Sequence, residues 1–103
     1  MTYLIRFTHR SRDDLKRLYL FLYRQDKGSA KHARDNIYKA IDTLRTFPFT
    51  CRKAQAGSPF IRELVISFGV HGKSSGYVAL FEIEEDNIVT ILAVRHQRED
   101  DYR

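Results

Sequence analysis

The sequence predicts a single α+β domain in which a hairpin of two helices packs on a small antiparallel sheet, in the order β-α-α-β-β-β. Three observations predict it: a short alternating apolar segment at the N-terminus, two amphipathic stretches with helical spacing before residue 48, and three strand-like apolar segments after residue 59. At 103 residues the chain is long enough for one compact domain and too short for two. We therefore expect residues 1–103 to form one domain.

The N-terminal half is predicted to form one strand and two helices. Residues 3–8 alternate as a strand does. Ser11, with Asp14 three residues later, predicts the start of the first helix, and Gly28 predicts its end. Ser29 is expected to cap the second helix, which stops at Phe47 because the next residue is proline. The apolar faces are Leu15, Leu18, Tyr19 and Leu22 in the first helix, and Ala33, Ile37, Ala40, Ile41 and Leu44 in the second.

The remainder is predicted to be β-structure. A loop is expected at residues 48–59, which contain Pro48, Gly57 and Pro59. Strands follow at residues 60–67, 77–83 and 88–94, with a flexible hairpin tip from Gly69 to Gly76 and a turn at residues 84–87. The last strand is almost entirely apolar, which is typical of a central strand covered on both faces.

Composition excludes several classes of protein and site. No apolar run approaches the roughly 20 residues of a membrane-spanning helix, and the N-terminus lacks the features of a signal peptide. The single cysteine, Cys51, has no partner for an internal disulfide. The four histidines are scattered, so a zinc site is not expected. We expect a cytoplasmic protein that has no cofactor, no metal, no small-molecule ligand and no membrane partner.

The charge of the chain is unevenly distributed. Residues 1–81 contain 15 Lys and Arg against six Asp and Glu, whereas seven acidic residues fall in the last 22 positions. The net charge of the whole chain is +5. Such a basic surface favours an acidic partner, either nucleic acid or an acidic protein segment, although it is also compatible with ordinary solvated Lys and Arg.

The order of several short motifs resembles the RelE/ParE toxin superfamily over residues 3–102. These motifs are Leu44-Arg45-Thr46-Phe47-Pro48 at the end of the helical hairpin, Arg62-Glu63-Leu64, the segment from Gly76 to Ile83, and the segment from Ile91 through Arg95-His96-Gln97-Arg98 to Tyr102. The resemblance implies a RelE/ParE-like fold. It also implies a toxin whose cognate antitoxin neutralises it by wrapping over its surface.

The superfamily contains two branches with different targets. RelE-like members are ribosome-dependent mRNA endoribonucleases, which need a base, an acid and a cation at the scissile phosphate. Arg62, Arg95, His96, Arg98 and Tyr102 are the candidates for these roles. The acidic residues 99–101 beside them would repel RNA, and Arg62 next to Glu63 is equally compatible with a local surface ion pair.

The closing motif and the helical hairpin favour the ParE-like branch, whose members inhibit DNA gyrase. On this interpretation the chain blocks replication, stabilises plasmids and catalyses nothing itself, so no catalytic residue is assigned. The side chains expected to be exposed for target binding are those of Arg62, Tyr77, Arg95, His96 and Arg98. A third interpretation is an inactive relative, in which the long hairpin tip reshapes the target surface.

Four aromatic residues exceed what a core of this size must bury. They are Phe21, Tyr23, Phe47 and Phe49. We expect some of them to contact the antitoxin, because apolar contacts supply affinity while the basic surface attracts an acidic partner.

Overall fold

The computed structural model describes residues 2–54, 58–70 and 73–97, which form two α-helices and five β-strands. The helices are α1 (His9–Gln25) and α2 (Lys27–Asp42), and two 3-10 turns follow at Thr43–Arg45 and Pro48–Thr50. The strands are β1 (Leu4–Phe7), β2 (Arg52–Lys53), β3 (Ile61–Val70), β4 (Lys73–Glu84) and β5 (Ile88–His96). Neither helix is long and apolar enough to cross a membrane.

The predicted order β-α-α-β-β-β is confirmed, with two differences in the β-region. The segment expected to be a loop contains the short strand β2, which pairs with β3. The hairpin of β3 and β4 continues to the pair Val70 and Lys73, so the strands run through most of the segment predicted to be a flexible tip. Only residues 71–72 of that segment separate the two strands, and they lie outside the described residues.

The five strands form one sheet in the order β1-β5-β4-β3-β2. The pairs β2–β3, β3–β4 and β4–β5 are antiparallel. The pair β1–β5 is parallel, with Leu4 opposite Ile88. The sheet is therefore mixed rather than wholly antiparallel. Parallel strands need a long crossover connection, and here both helices belong to the connection between β1 and β5. Strand β5 is paired on both edges, as expected of a central strand, but the helices cover only one of its two faces.

Both helix starts lie three residues before the predicted positions. Thr8 caps α1 by accepting a hydrogen bond from the N–H of Ser11, 3.1 Å away, and Ser11 itself is buried inside the first turn. Asp26 caps α2 by accepting from the N–H of Ser29 at 3.2 Å, so Gly28 lies in the first turn of α2 rather than at the end of α1. Both caps still follow the preference for a short polar side chain at this position.

The helices cover one face of the sheet and enclose the core. Helix α1 packs on β5, and α2 packs on β3. The predicted apolar stripe of α2 is confirmed, since Ala33, Ile37 and Ile41 are almost completely buried. From the sheet, the core receives alternate residues of β4, together with residues of β3 and β5. The largest of these fully buried side chains are Tyr77, Phe81 and Ile91.

A β-bulge in β5 determines which residues of its C-terminal end face the helices. Phe81 lies opposite Ile91, whereas Leu80 lies opposite Ala93, so Leu92 is an extra residue in β5. The hydroxyl of Thr8 donates to the carbonyl of Leu92 at 3.1 Å, which ties the bulge to the start of α1. After the bulge, His96 shares the helix-covered face with Tyr77, and Arg95 points to the opposite face.

Candidate functional site

A groove lined mainly by apolar side chains lies between the two helices. It is a cavity of about 300 Å³. Its apolar lining residues are Leu15, Leu18, Leu22, Ala30, Ala33 and Ile37, its aromatic ones are Tyr19 and Tyr38, and its cationic ones are Arg12, Lys16 and Arg34. We call these residues the interhelix groove.

The sequence forms this groove because the two helices meet at a single-residue connection. Asp26 ends α1, where its N–H donates to the carbonyl of Leu22 at 2.8 Å, and its side chain also begins α2. The hydrogen bond from the Ser29 side chain, followed by that from the Ser29 backbone, lowers the pKa of Asp26. The small residues Ala30 and Ala33 then face α1, so a depression remains between the larger side chains.

The rim of the interhelix groove is cationic. Arg34 stacks on Tyr19 with 5.3 Å between the guanidinium carbon and the ring centroid, and Lys16 lies on the opposite helix. Asp14, on the same helix as Lys16, accepts a hydrogen bond from the N–H of Val94 at 3.0 Å. This carboxylate is therefore directed towards the sheet. An apolar floor with a cationic rim suits an amphipathic segment that carries acidic residues.

The four aromatic residues predicted for antitoxin contact are exposed but do not share one surface. Their exposed fractions are 61% for Phe21, 42% for Tyr23, 62% for Phe47 and 49% for Phe49. Phe21 and Tyr23 belong to α1, whereas Phe47 and Phe49 follow α2 at the other end of the hairpin. None of the four lines the interhelix groove, although Tyr23 contacts Tyr19 with the ring centroids 5.9 Å apart. Whether they contact an antitoxin stays a prediction.

Sequence reasoning missed Tyr19 and Tyr38 as lining residues of a groove. Tyr19 lies on the apolar stripe of α1 and was assigned to it, while Tyr38 lies next to the stripe of α2 and is 46% exposed. The available signal was that each helix carries a tyrosine beside its buried stripe. That signal becomes useful only when the facing sides of the two helices are known.

Arg62 binds the protein itself rather than projecting freely from β3. Its guanidinium donates to the backbone carbonyls of Pro59 at 3.2 Å, Phe49 at 3.1 Å and Cys51 at 2.8 Å. It also stacks on the ring of Phe49, 5.2 Å from the centroid. Arg62 thus holds the segment before β2 against the start of β3.

The alternative interpretation of Arg62, as a member of an ion pair with Glu63, is wrong. These two residues are neighbours on a strand, so their side chains point to opposite faces of the sheet. Glu63 pairs instead with Arg52 on β2, with 3.1 Å between Nε and Oε1.

The expectation that Tyr77 is exposed is wrong. Tyr77 is only 2% exposed, because the odd-numbered residues of β4 face the helices. Burial raises the pKa of its phenol. Its ring meets that of His96 edge-on, with 5.3 Å between the centroids, so the structure does bring these two candidates together.

The remaining candidates do not assemble into one site. Arg95 is half-buried on the other face, where its guanidinium lies 3.3 Å from the carbonyl oxygen of His96. Arg62 lies opposite Phe81 on β4. Phe81 is four residues from Tyr77 on the same strand, so Arg62 and the Tyr77–His96 pair are about 13 Å apart along the strand direction. Arg98 and Tyr102 lie outside the described residues. Among residues 2–54, 58–70 and 73–97, no group of His, Cys, Asp and Glu is arranged to hold a metal ion.

Comparison with known proteins identifies relatives of this fold. The sequence model of a family described as the ParE toxin of the type II toxin-antitoxin system, parDE, matches residues 5–101. Among solved structures, the chain resembles one from the "Chromosomal ParDE TA system from P. aeruginosa", with a TM-score of 0.67 and 14% sequence identity. The match covers 92% of this chain and 96% of that one. Curated protein sequences give no match.

Proposed function

Because the chain belongs to the ParE toxin family of type II toxin-antitoxin systems, we propose that it is a toxin that inhibits DNA gyrase and is neutralised by a cognate antitoxin. Family membership implies the antitoxin partner. The observation that supports the proposal most directly is the open interhelix groove, whose apolar floor and cationic rim suit a protein segment.

The antitoxin segment that fits this groove is amphipathic and acidic. Its apolar side chains would displace water from the surfaces of Leu15, Tyr19 and Tyr38. Its carboxylates would meet Lys16 and Arg34 at the rim. Such a segment would cover a large part of the helical layer.

Inhibition by binding is better supported than RNA cleavage. Cleavage needs an acid, a base and a phosphate-binding cation around one bond. Arg62 is already hydrogen-bonded to three backbone carbonyls, and His96 packs against the buried ring of Tyr77. The described candidates are therefore separated and occupied by structural contacts.

The test of the gyrase target is supercoiling by purified gyrase with and without ATP, in the presence of micromolar chain. We expect loss of supercoiling together with accumulation of cleaved DNA. Arg95→Ala should weaken both effects, whereas Arg24→Ala, at the exposed end of α1, should not. Unchanged supercoiling would reject gyrase as the target, and ribosome-dependent mRNA cleavage would then be assayed.

The test of the antitoxin site compares two exposed aromatic residues. Tyr38→Ala, in the groove, should weaken the affinity for the cognate antitoxin about fivefold or more, because anchoring aromatic side chains dominate such interfaces. Phe47→Ala, outside the groove, should change it little. Isothermal titration calorimetry measures both affinities. The reverse ranking would place the antitoxin on the Phe47 surface instead.

A further inference from the structure

A second cavity, chemically unlike the interhelix groove, opens at one end of the sheet. It has a volume of about 560 Å³ and lies where the N-terminal segment, the segment before β3 and the β4–β5 turn meet. Three aromatic residues, Tyr3, Phe49 and Phe60, line it together with the four carboxylates between Glu82 and Asp86. We call this the sheet-end cavity. It has no lining residue in common with the interhelix groove.

The aromatic wall of the sheet-end cavity is already suited to a guanidinium. Phe49 and Phe60 meet edge-to-face with 6.3 Å between their centroids, and each is 49% exposed. Phe49 also carries the Arg62 guanidinium of the chain itself at 5.2 Å. Aromatic rings attract cations through the negative charge of their faces, and arginine is the commonest protein cation in such contacts.

The acidic wall has carboxylates that the described part of the chain leaves available. Glu84 is neutralised within the fold, because it accepts hydrogen bonds from Thr90 and Arg6. Glu82, Glu85 and Asp86 make no ion pair with any described residue, and Glu85 and Asp86 are exposed. In a chain of net charge +5, this concentration of negative charge is the opposite of the general surface.

We propose that the sheet-end cavity binds an arginine-bearing extended segment of a partner protein. A guanidinium would stack on the exposed ring of Phe60 while it donates to Glu85 or Asp86, a combination that suits its planar group and its five N–H donors. The charge excludes phosphate-rich ligands from this cavity. The site is independent of the groove and of which target the toxin inhibits.

The test is a titration of the 15N-labelled full chain with the peptide acetyl-Gly-Arg-Arg-Gly-amide. We expect saturable shifts of the amide signals of Tyr3, Phe60 and Asn87, and none in the interhelix groove. The neutral peptide acetyl-Gly-Gln-Gln-Gly-amide should give no saturable shift. A higher salt concentration should lower the affinity for the arginine peptide, because the expected contacts are partly exposed ion pairs.

Two variants and one control locate the binding. Phe60→Leu should lower the affinity about two- to fivefold through loss of the cation–π contact. The double variant Glu85→Gln and Asp86→Asn should lower it further, and Asn tolerates the positive φ of 63° at position 86. Asp13→Asn, which removes an exposed carboxylate from α1, should have no effect. A dispersed amide spectrum confirms that each variant is folded.

Three outcomes would overturn the proposal. They are the absence of saturable shifts up to about 10 mM peptide, equal shifts with the glutamine peptide, and unchanged affinity in both cavity variants. None of these outcomes bears on gyrase inhibition or antitoxin binding, because those experiments measure other activities with variants outside the sheet-end cavity.

Discussion

Arg62 has a structural role that its position in a toxin-like motif does not reveal. Its side chain is half-buried and supplies hydrogen bonds to three carbonyl groups that belong to the segment from Phe49 to Pro59. In the described part of this segment, residues 49–54 and 58–59, the regular elements are β2 and the end of a 3-10 turn. The same guanidinium lies close enough to Cys51 to oppose the rise in its pKa that burial causes.

We therefore predict that Arg62→Ala destabilises the protein by about 1–3 kcal/mol, because charge-assisted hydrogen bonds to backbone carbonyls are lost. Arg62→Lys should recover only part of this, since an ammonium group lacks the planar fork that reaches several carbonyls. Urea unfolding measures both changes. Arg24→Ala, on the surface of α1, is the control and should have a small effect. An equally small effect of Arg62→Ala would contradict the structural role.

Glu84, on the face of the sheet that the helices do not cover, makes the stability of the fold depend on pH. The hydrogen bond from the buried Thr90 hydroxyl, and then that from Arg6 at 3.0 Å, hold the pKa of Glu84 below its ordinary value of 4.5. A carboxyl with a lowered folded pKa contributes stability above its unfolded pKa and loses it as the pH falls through the folded value. The contribution should therefore be complete at neutral pH, begin to decline as the pH falls below about 4.5, and be lost once the pH is below the lowered folded pKa.

The prediction is that Glu84→Gln lowers the melting temperature most at neutral pH, and that the difference from the natural chain shrinks as the pH falls below about 4.5. Thermal unfolding followed by circular dichroism at a series of pH values measures the difference. Glu85→Gln, in the adjacent turn, serves as the control. A difference that stays constant with pH would show that the charge of Glu84 contributes nothing and that only its shape matters.

At the scale of elements, one residue connects the two helices. Asp26 ends α1 through its backbone N–H and begins α2 through its side chain, so the hairpin has no separate loop. The Ser29 hydroxyl also donates to Asp26, at 2.6 Å. The crossing of the helices, and with it the shape of the interhelix groove, depends on this connection.

We predict that Asp26→Ala lowers the urea midpoint of unfolding, because α2 loses its N-cap hydrogen bond. Asp26→Asn should cost less, because an amide oxygen still accepts from the Ser29 N–H. Ser29→Ala, predicted as the cap from sequence, should cost less than Asp26→Ala. Urea unfolding of the three variants measures the ranking. A larger effect of Ser29→Ala would assign the cap to Ser29.

The sequence predicted what depends on periodicity and missed what depends on which surfaces meet. The stripe of Ala33, Ile37 and Ile41 identified the buried face of α2 because helical spacing alone determines it. Tyr77 was misjudged because an alternating strand has two faces, and only the packing of the helices decides which one is buried. The N-caps were predicted three residues too late. Ser11 and Ser29 match the capping pattern, but Thr8 and Asp26 are the residues whose side chains accept the capping hydrogen bonds.

The functional candidates divide in the same way. The exposure of Phe21 and Phe47 was correctly anticipated, because a small core has no room for every aromatic side chain. The role of Arg62 was not, since its three carbonyl partners lie in a segment whose path the sequence does not determine. A helical layer of this kind is expected to leave apolar grooves, but the residues that line the interhelix groove were not predicted, because each of its walls, taken separately, has the pattern of an ordinary helix face.

At the scale of the whole molecule, opposite charges are concentrated at the interhelix groove and at the sheet-end cavity. The residues of the interhelix groove belong to the basic first 81 positions, whereas the carboxylates of the sheet-end cavity come from the end of β4 and from the β4–β5 turn. A partner with an acidic segment is thus attracted to the helical layer and repelled from the sheet end. Such long-range attraction acts mainly on the rate of association, while contacts at the groove floor determine the rate of dissociation.

The association rate with the cognate antitoxin should therefore fall about tenfold or more between low and high salt, whereas the dissociation rate should change little. The double variant Lys16→Glu and Arg34→Glu should slow association and weaken its salt dependence, because it removes cations from the rim of the groove. Reversing two exposed cations away from the groove, Arg24→Glu and Lys53→Glu, changes the net charge equally and should affect the rate less. Stopped-flow fluorescence measures association, and competition with unlabelled antitoxin measures dissociation. Equal effects of the two double variants would mean that net charge, rather than the rim of the groove, directs the encounter.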